Sequence, residues 1–222
     1  MTSGVSFQNV TVEFDGRIAL SKVNLELTSR SVAVIGANGS GKSTFARLIN
    51  GLAKPTSGKV TVLGESPSVS EVGFVFSNPD LQIVMPTVFE DVAFSLTREK
   101  LSKAEVRSRV EAALSAVGIL ELQESNCHTL SSGQKQLLAM ASAMVRSPKL
   151  FVADEPTTLL DLPNTRLITL VLHSLRVDQL VLVTHDLELA ATCDEVVWFD
   201  SGAVRRVGKP KAVIAEYRKA FD

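Results

Sequence analysis

The stretch Gly36-Ala-Asn-Gly-Ser-Gly-Lys-Ser-Thr44 decides the fold of this chain. It fits the pattern G-x-x-x-x-G-K-[ST], in which glycines let backbone N–H groups point inward and surround a phosphate. An apolar run at residues 32–35 precedes it, and a helical pattern at residues 45–50 follows and ends at Gly51. A strand, a loop and a helix in this order predict a nucleotide site, with the phosphates at the helix N-terminus.

The polar side chains of this loop have separate predicted roles. Lys42 should neutralise the β- and γ-phosphates of ATP, and Ser43 should hold Mg²⁺ through its hydroxyl. The predicted nucleotide-binding residues of the loop are Asn38, Gly39, Ser40, Gly41, Lys42, Ser43 and Thr44. The alternative is a glycine- and serine-rich turn that binds nothing, and the flanking strand and helix argue against it.

A second group of candidates lies at the ends of two later apolar strands. Asp154 and Glu155 end the run Leu150-Phe-Val-Ala-Asp-Glu155, and His185 follows the run at residues 180–184. Ligands in parallel sheets bind at the carboxyl ends of the strands. We therefore expect Asp154 to support Mg²⁺, Glu155 to position the attacking water and His185 to sense the γ-phosphate. An exposed acidic strand end and an ordinary surface histidine are the alternatives.

The whole pattern predicts an α/β fold. Short apolar runs separated by helical stretches indicate a parallel sheet with both faces covered. Alternation at residues 10–14 and 23–27 adds N-terminal antiparallel strands, which makes the sheet arrangement mixed. Between about residues 87 and 145 only helical patterning occurs, including a capping box at Ser102–Glu105. We expect one domain over residues 1–222, with a helical subdomain inserted at roughly 78–146.

Composition excludes several classes of protein. The 222 residues carry a formal net charge of −1, so no basic footprint for nucleic acid is present. Cys127 and Cys193 lie outside metal-ligand spacing and are predicted to be free thiols in a reducing compartment. The first ten residues lack a signal-peptide pattern, and no apolar run approaches the roughly 20 residues that span a bilayer. A role at a membrane would therefore require another chain.

The segment Leu130-Ser-Ser-Gly-Gln134 lies directly before an amphipathic helix. Together with the earlier motifs, it indicates the protein family. Alone, this signature segment is a helix cap that presents hydroxyl and N–H groups. In order along the chain come GANGSGKST, LSSGQ, LFVADEP, TTLLD and VTHD. With these motifs the chain resembles the ATP-binding cassette (ABC) ATPases over essentially its whole length. The resemblance implies ATP hydrolysis with Mg²⁺ by two cassettes paired head to tail.

The resemblance also assigns four further residues. Ser132 and Gly133 would contact the γ-phosphate bound by the partner cassette, and Asp161 would join the two sites. Phe14 would stack on adenine, at a position where the family often has tyrosine. The alternative for Phe14 is one more core-facing aromatic side chain.

The chain departs from the family pattern in two places, at Ser77 and in the signature segment with the helix that follows it. Ser77 stands where the family has a glutamine that contacts Mg²⁺ and the attacking water, and serine is too short to do so. Gln82, five residues on, is a weak candidate to replace it. Ser132 replaces a usual glycine, and Leu137 replaces a common basic residue. Ser77 suggests slow hydrolysis or altered coupling, whereas the added Cβ at Ser132 is a small change, and the site itself should survive both departures.

Residues 78–94 resemble the ATPases of energy-coupling-factor (ECF) and cobalt/nickel importers, through N-P-D-x-Q followed by T-V-x-x-D-V-A-F. There the region forms a groove for helices of a transmembrane coupling protein, and Asp80, Glu90 and Asp91 would accept arginines. The resemblance implies a peripheral subunit at the cytoplasmic face of the membrane. Its partners would be that coupling protein, a substrate-binding membrane protein and a second ATPase, here a second copy.

The short segment after His185 suggests a compact cassette in which the C-terminal domain that many such ATPases carry is absent or reduced. Biotin is the first predicted solute, with cobalt, nickel or another vitamin next. The alternative function is a soluble ABC-type ATPase of DNA repair or translation that is not coupled to transport. A P-loop kinase and a regulatory cassette that does not hydrolyse ATP are further alternatives. Lys42, Glu155 and His185 argue against the regulatory cassette.

Overall fold

The computed structural model describes residues 4–69, 71–158 and 160–221. Residues 1–3 of the predicted N-terminus and Leu159 of the TTLLD motif lie outside the described residues. The strands are β1 Val5–Phe14, β2 Arg17–Leu27, β3 Ser31–Ile35, β4 Ser57–Val62, β5 Val72–Val75, β6 Leu150–Asp154, β7 Gln179–Val183, β8 Glu195–Asp200 and β9 Ala203–Gly208. The α-helices are α1 Lys42–Asn50, α2 Val88–Phe94, α3 Lys103–Ala116, α4 Ser132–Met144, α5 Leu162–Ser174, α6 Leu187–Ala191 and α7 Pro210–Lys219.

The chain divides into two compact units, which are described separately. The first unit consists of the described parts of Met1–Val72, Lys149–Glu155 and Val177–Asp222. The second unit consists of Gly73–Pro148 and the described parts of Pro156–Arg176. The first unit therefore holds both sheets described below, and the second holds α2 to α5.

Two sheets form the first unit. In one, β6, β7, β3, β8 and β9 lie side by side in that order, and all neighbours are parallel except β9, which runs antiparallel to β8. In the other, β1 pairs antiparallel with both β2 and β4. The predicted α/β class, with a mixed sheet and N-terminal antiparallel strands, is confirmed.

Hydrophobic pattern explains which strands the sequence revealed. Strands β3, β6 and β7 are buried along nearly their whole length, as expected for parallel strands covered on both faces. Strand β1 alternates buried and exposed residues, as a half-covered antiparallel strand does. Strands β4 and β9 were not predicted, because Ser57-Gly-Lys-Val-Thr-Val62 and Ala203-Val-Arg-Arg-Val-Gly208 carry too few apolar residues to show a period.

Three aromatic rings in contact attach α1 to both sheets, one pair stacked and the other tilted. The ring centroid of Phe45 in α1 lies 4.5 Å from that of Phe7 in β1 and 5.0 Å from that of Phe199 in β8. All three side chains are buried. Offset aromatic pairs of this kind stabilise a fold beyond the area they bury. The helix that follows the phosphate loop is thus held at its second turn.

Capping residues determine where the helices of the second unit begin. Thr87, Ser102 and Ser131 each accept a hydrogen bond from the backbone N–H three residues later. In each case a glutamate or glutamine at that third position bonds back to the cap, which completes a capping box. The capping box predicted at Ser102–Glu105 is confirmed. The predicted limits of the inserted helical subdomain stay a prediction.

No helix within the described ranges is long and apolar enough to cross a membrane. Cys127 and Cys193 are both buried free thiols. Burial raises the pKa of Cys127 to about 11 and that of Cys193 to about 12. Neither sulfur is therefore a reactive thiolate at neutral pH.

Candidate nucleotide site

The phosphate loop depends on glycine at two positions where the backbone and its surroundings exclude a side chain. Gly41, which precedes α1, has φ +100°, and a Cβ there would lie 2.6 Å from the carbonyl oxygen of Ala19. Gly36 has φ +151°, and its Cβ would collide with the carbonyl oxygen of Phe199. Left-handed backbone and close approach together explain both glycines. The loop can thus turn its N–H groups toward one point.

The remaining loop residues divide into a tip and an anchored base. Asn38 and Gly39 are exposed at the tip, while Ser40 is buried and its N–H donates to the carbonyl of Ala37. Thr44 lies in the first turn of α1 and is half-buried. A phosphate can therefore reach the backbone groups at the tip while the base stays fixed.

Lys42 extends back across the loop. Its Nζ donates to the carbonyl oxygen of Gly36 at 2.8 Å and to that of Ala37 at 3.0 Å. Burial lowers the pKa of Lys42, and the negative charges of Glu155 and Asp154 oppose that shift. The ammonium is thus held above the loop, where the phosphates of a nucleotide would lie.

Ser43 and Asp154, the two predicted Mg²⁺ ligands, are in contact. The Ser43 Oγ donates to Asp154 Oδ1 at 3.2 Å. Asp154 is 3% exposed, and burial raises its pKa while the bond from Ser43 opposes the rise. A hydroxyl and a carboxylate are oxygen donors that Mg²⁺ prefers, with phosphate and water completing its shell. The residues present therefore fit the ion, although no cluster of three His, Cys, Asp or Glu side chains occurs among the described residues.

Glu155 and His185 meet at the adjacent strand ends. His185 Nδ1 lies 2.6 Å from Glu155 Oε2, and the His185 backbone N–H also donates to that oxygen at 3.4 Å. Glu155 has φ +53°, a left-handed conformation that non-glycine residues rarely adopt. Its N–H donates to the carbonyl of Val183, which fixes the turn. Strained backbone of this kind concentrates at functional sites.

Phe14, the predicted adenine platform, is 52% exposed at the end of β1. It pairs with Arg17 across the turn to β2, where Asp15 and Gly16 both have positive φ. The alternative that Phe14 is a core aromatic is wrong, because its ring faces solvent. An exposed aromatic face is what stacking on a base requires.

The second unit brings together the two segments named for the partner cassette. Ser132 is exposed at the start of α4, and Gly133 next to it is buried. A Cβ on Gly133 would collide with the side-chain amide of Asn164. Asp161 caps α5 and accepts from both the backbone and the side-chain nitrogen of Asn164, at 3.0 and 2.7 Å. Asn164 thus sits between Gly133 and Asp161, and the sequence motifs did not point to it.

Gln82, the weak candidate to replace the missing family glutamine, makes its contacts inside the second unit. Ser77 is exposed. Both atoms of the Gln82 amide have partners, because Oε1 accepts from the Phe76 N–H at 3.4 Å and Nε2 donates to the Ala139 carbonyl at 3.1 Å. Gln82 is therefore a structural contact within the second unit.

The three acidic residues predicted to receive arginines all have partners within their own unit. Asp91 is 3% exposed and accepts from the backbone N–H groups of Val84 and Met85. The prediction for Asp91 was wrong, since a buried carboxylate with these partners stabilises the fold. Glu90 completes the capping box of α2, and exposed Asp80 binds Lys135 at 2.7 Å. Leu137, the other departure, is buried in the core of the second unit.

Comparison with known proteins agrees with the motifs and the fold. The ABC transporter family matches residues 20–158. The biotin transport ATP-binding protein BioM of Rhizobium etli is 41% identical over 220 residues, covering 97% of this chain and 98% of that protein. Among solved structures, CbiO1 of Clostridium perfringens, part of the ABC transporter complex CbiONQ, has a TM-score of 0.85 at 32% identity and covers 96% and 91%.

A dimeric structure of the ATP-binding cassette MJ0796, in a post-hydrolysis state with ADP and Pi, matches with a TM-score of 0.81 at 29% identity over 93% of this chain and 98% of that one. The chain belongs to the ABC transporter family. It is an ATP-binding and ATP-hydrolysing member of that family.

Proposed function

We propose that the first unit binds ATP with Mg²⁺ and hydrolyses it by attack of water on the γ-phosphoryl group. Ser43 and Asp154 would hold the ion, which neutralises phosphate charge when bound. The backbone from Asn38 to Thr44 would surround the phosphates, and Lys42 would balance their remaining charge. The observation that carries this assignment is the contact of Ser43 with Asp154 at 3.2 Å, because it joins the loop to the acidic strand end.

Glu155 is the residue we assign to the attacking water. Its carboxylate accepts a hydrogen bond from water and orients the oxygen for in-line attack. His185, 2.6 Å away from Glu155, holds that carboxylate in place and stabilises the charge that develops on the γ-phosphoryl oxygens. The left-handed backbone at Glu155 supports this role, since strain of this kind concentrates at functional sites.

Ser132, Gly133 and Asp161 are assigned to the nucleotide of a second copy of this chain. The exposure of Ser132 at a helix start supports this, because its hydroxyl and the nearby N–H groups are available to an anion. Phe14 would stack on the adenine of its own copy. In a dimer of identical chains, each copy would supply a phosphate loop for its own nucleotide and Ser132 and Gly133 for the nucleotide of the other. The related cassette MJ0796 was solved as a dimer.

We assign the hydrolysis to import through a membrane complex of the ECF type. Its partners are a transmembrane coupling protein and a substrate-binding membrane protein, and the chain lies peripherally on the cytoplasmic face. The likeness to BioM along nearly the whole of both chains is the observation that favours biotin. Cobalt or nickel is the next candidate solute. Residues 1–222 act as one cassette in which the helical part, at roughly 78–146, meets the coupling protein.

The experiment that tests import is purification of the tagged chain from gently solubilised membranes, followed by identification of its partners. Recovery of a coupling protein with a small binding protein supports the assignment, and binding of labelled biotin by that complex identifies the solute. If the recovered complex does not bind biotin but takes up cobalt or nickel, the assigned solute becomes that metal ion. Recovery of no membrane protein would refute import and leave the ATPase.

A further inference from the structure

The turn between β8 and β9 lies against the phosphate loop. Asp200 pairs with Ala203, so the turn itself consists of Ser201 and Gly202. Both residues have positive φ, +49° and +80°, as two-residue hairpin turns require. Ser201 is exposed, whereas Gly202 is buried. Because turns normally lie at the surface, the burial of Gly202 directs attention to what it contacts.

Gly202 connects two other segments of the first unit through its own backbone. Its N–H donates to the carbonyl oxygen of Ser40 in the phosphate loop at 3.1 Å. Its carbonyl oxygen accepts from the N–H of Ser21 in β2 at 2.9 Å. We call these two hydrogen bonds the Gly202 bridge. Through one residue, the bridge joins the base of the phosphate loop to β2.

Close packing at the Gly202 bridge leaves no room for a side chain. A Cβ on Gly202 would lie 2.8 Å from the carbonyl oxygen of Ala19 in β2. A Cβ on Gly41 would lie 2.6 Å from the same oxygen and 3.6 Å from the Gly202 Cα. The Ala19 carbonyl therefore packs between a glycine of the loop and a glycine of the turn. Any side chain at position 202 has to displace β2 or the turn.

Strand β2 leads directly to the proposed adenine platform. It begins at Arg17, which pairs with Phe14 across the hairpin turn. Ala19 and Ser21, the two β2 residues in contact with Gly202, lie two and four residues after Arg17. Between them, the Leu20 side chain is fully buried and fixes the strand in the core. A shift of β2 at the Gly202 bridge would therefore move Phe14 relative to the phosphate loop.

We infer that Gly202 is a positioning residue that sets the spacing between Phe14 and the phosphate loop, so that the adenine and the phosphates of one nucleotide are bound together. This inference rests on the proposed function, in which Phe14 stacks on adenine. Gly202 acts through the backbones of Ser40 and Ser21. A ligand with two contact points gains affinity from both only when the spacing of the site matches its own.

The test compares Gly202→Ala with a matched control, Gly64→Ala. Gly64 also belongs to the first unit and has φ +88°, but it is exposed and a Cβ there would meet no atom within 4 Å. Both changes place a methyl group on left-handed backbone, so both carry the same conformational cost. Only Gly202→Ala also displaces a neighbouring strand.

Each change is made in the full-length chain and again in a Phe14→Ala chain. Titration calorimetry gives the affinity for ADP with Mg²⁺, a ligand that is not consumed during the measurement. Phosphate release gives kcat and KM for ATP, and thermal melts give stability. The cycle of four proteins separates an effect on spacing from an effect on the phosphate loop alone, because only the first depends on Phe14.

We expect Gly202→Ala to raise the Kd for ADP and the KM for ATP by about three- to thirtyfold, the range of coupled contacts. The kcat at saturating ATP should stay within about twofold, because Gly202 does not touch the reacting atoms. In the Phe14→Ala chain, where the adenine contact is already lost, Gly202→Ala should weaken ADP by less than about twofold. Gly64→Ala should lower stability and keep the affinity.

If Gly202→Ala proves too unstable to purify, Gly202→Asn takes its place. Asparagine tolerates left-handed backbone better than alanine and still brings the Cβ that meets Ala19. It should give the same dependence on Phe14.

Two results would overturn the inference. Unchanged ADP affinity in Gly202→Ala would show that the spacing does not depend on this residue. An equal loss of affinity with and without Phe14 would show that Gly202 supports only the phosphate loop. If Phe14→Ala by itself leaves ADP affinity unchanged, the proposed adenine platform is what fails, and the inference fails with it.

Discussion

The two units differ in how closely they follow the ABC pattern. In the first unit the phosphate loop, the acidic strand end and His185 follow the pattern. Lys42 donates to two loop carbonyls, Ser43 contacts Asp154, and Glu155 contacts His185. In the second unit Ser77, Ser132 and Leu137 depart from the pattern, and the segment around them is held by polar side chains on α4. The comparison teaches that the chemistry of hydrolysis allows little variation in residue type. In the second unit the contacts that hold the chain are hydrogen bonds between residues outside the motifs.

The largest expected effect tests the first unit. Glu155→Gln should still bind ATP but hydrolyse it about 10²- to 10⁴-fold more slowly, because glutamine cannot accept the proton of the attacking water. Phosphate release and binding of a fluorescent ATP analogue measure the two properties. Glu188→Gln, an exposed carboxylate on α6, is the control and should behave like the unmodified chain. Turnover near normal in Glu155→Gln would remove Glu155 from the mechanism.

The next effect tests the packing of the second unit. Gly133→Ala should reduce the free energy of unfolding by about 1–3 kcal/mol, because the added methyl collides with the Asn164 amide. The same change made in an Asn164→Ala background should cost clearly less, and denaturant melts of the four proteins give the coupling energy. Additive costs would mean that Asn164 is not what excludes a side chain at position 133.

A smaller effect concerns the charge buried in the first unit. Burial raises the pKa of Asp154 above its value in the unfolded chain. Ionisation of Asp154 therefore destabilises the fold as the pH rises above the pKa of the unfolded chain. Asp154→Asn keeps an oxygen for Ser43, so it should raise the free energy of unfolding at pH 7 by about 0.5–2 kcal/mol. This gain in the free energy of unfolding should shrink toward pH 4. The Asp154→Asn variant should also lose Mg²⁺-dependent hydrolysis. Melts at several pH values measure this, and a gain independent of pH would contradict the cause given.

The smallest expected effect comes from restoring a family residue in the second unit, which makes that unit more like the ABC pattern. Ser77→Gln restores the family residue at an exposed position, so stability should change by no more than about 0.5 kcal/mol. We expect kcat to rise by about two- to tenfold, because in the family pattern the glutamine at this position contacts the metal and the attacking water. Steady-state phosphate release is the measurement, with Ser77→Ala as the control that adds no reach. An unchanged kcat in Ser77→Gln would show that hydrolysis by this chain does not depend on a glutamine at position 77.

The parts of the fold that were predicted are those with a strong local pattern. The buried runs that became β3, β6 and β7 are continuous apolar stretches, and the capping box at Ser102 is a local chemical signal. Strands β4 and β9 escaped prediction because pairing with β1 and β8 supplies their stability, and their own residues show no period. Helix α5 begins at Leu162, where the cap residue Asp161 and the proline in the first turn decide the start.

Within the candidate site, the residues that belong to sequence motifs were predicted, and the residues that contact them in the structure were not. Asp91 was misread because an acidic residue in a helical stretch usually faces water, whereas here it is buried against two backbone N–H groups and Ser142. Gln82 was considered only as a replacement for the missing glutamine, and Asn164 was not singled out, since a glutamine or an asparagine has a structural role only through the partners that the fold brings near.

The sequence by itself determined the phosphate loop, the acidic strand end and the order of the motifs, because each depends on the chemistry of neighbouring residues in the chain. Only the tertiary structure decided that Ser43 meets Asp154, that Glu155 meets His185 and that Gln82 spans Phe76 and Ala139. These contacts join residues up to 111 positions apart. Their geometry follows from how strands and helices pack, which no local pattern of side chains specifies.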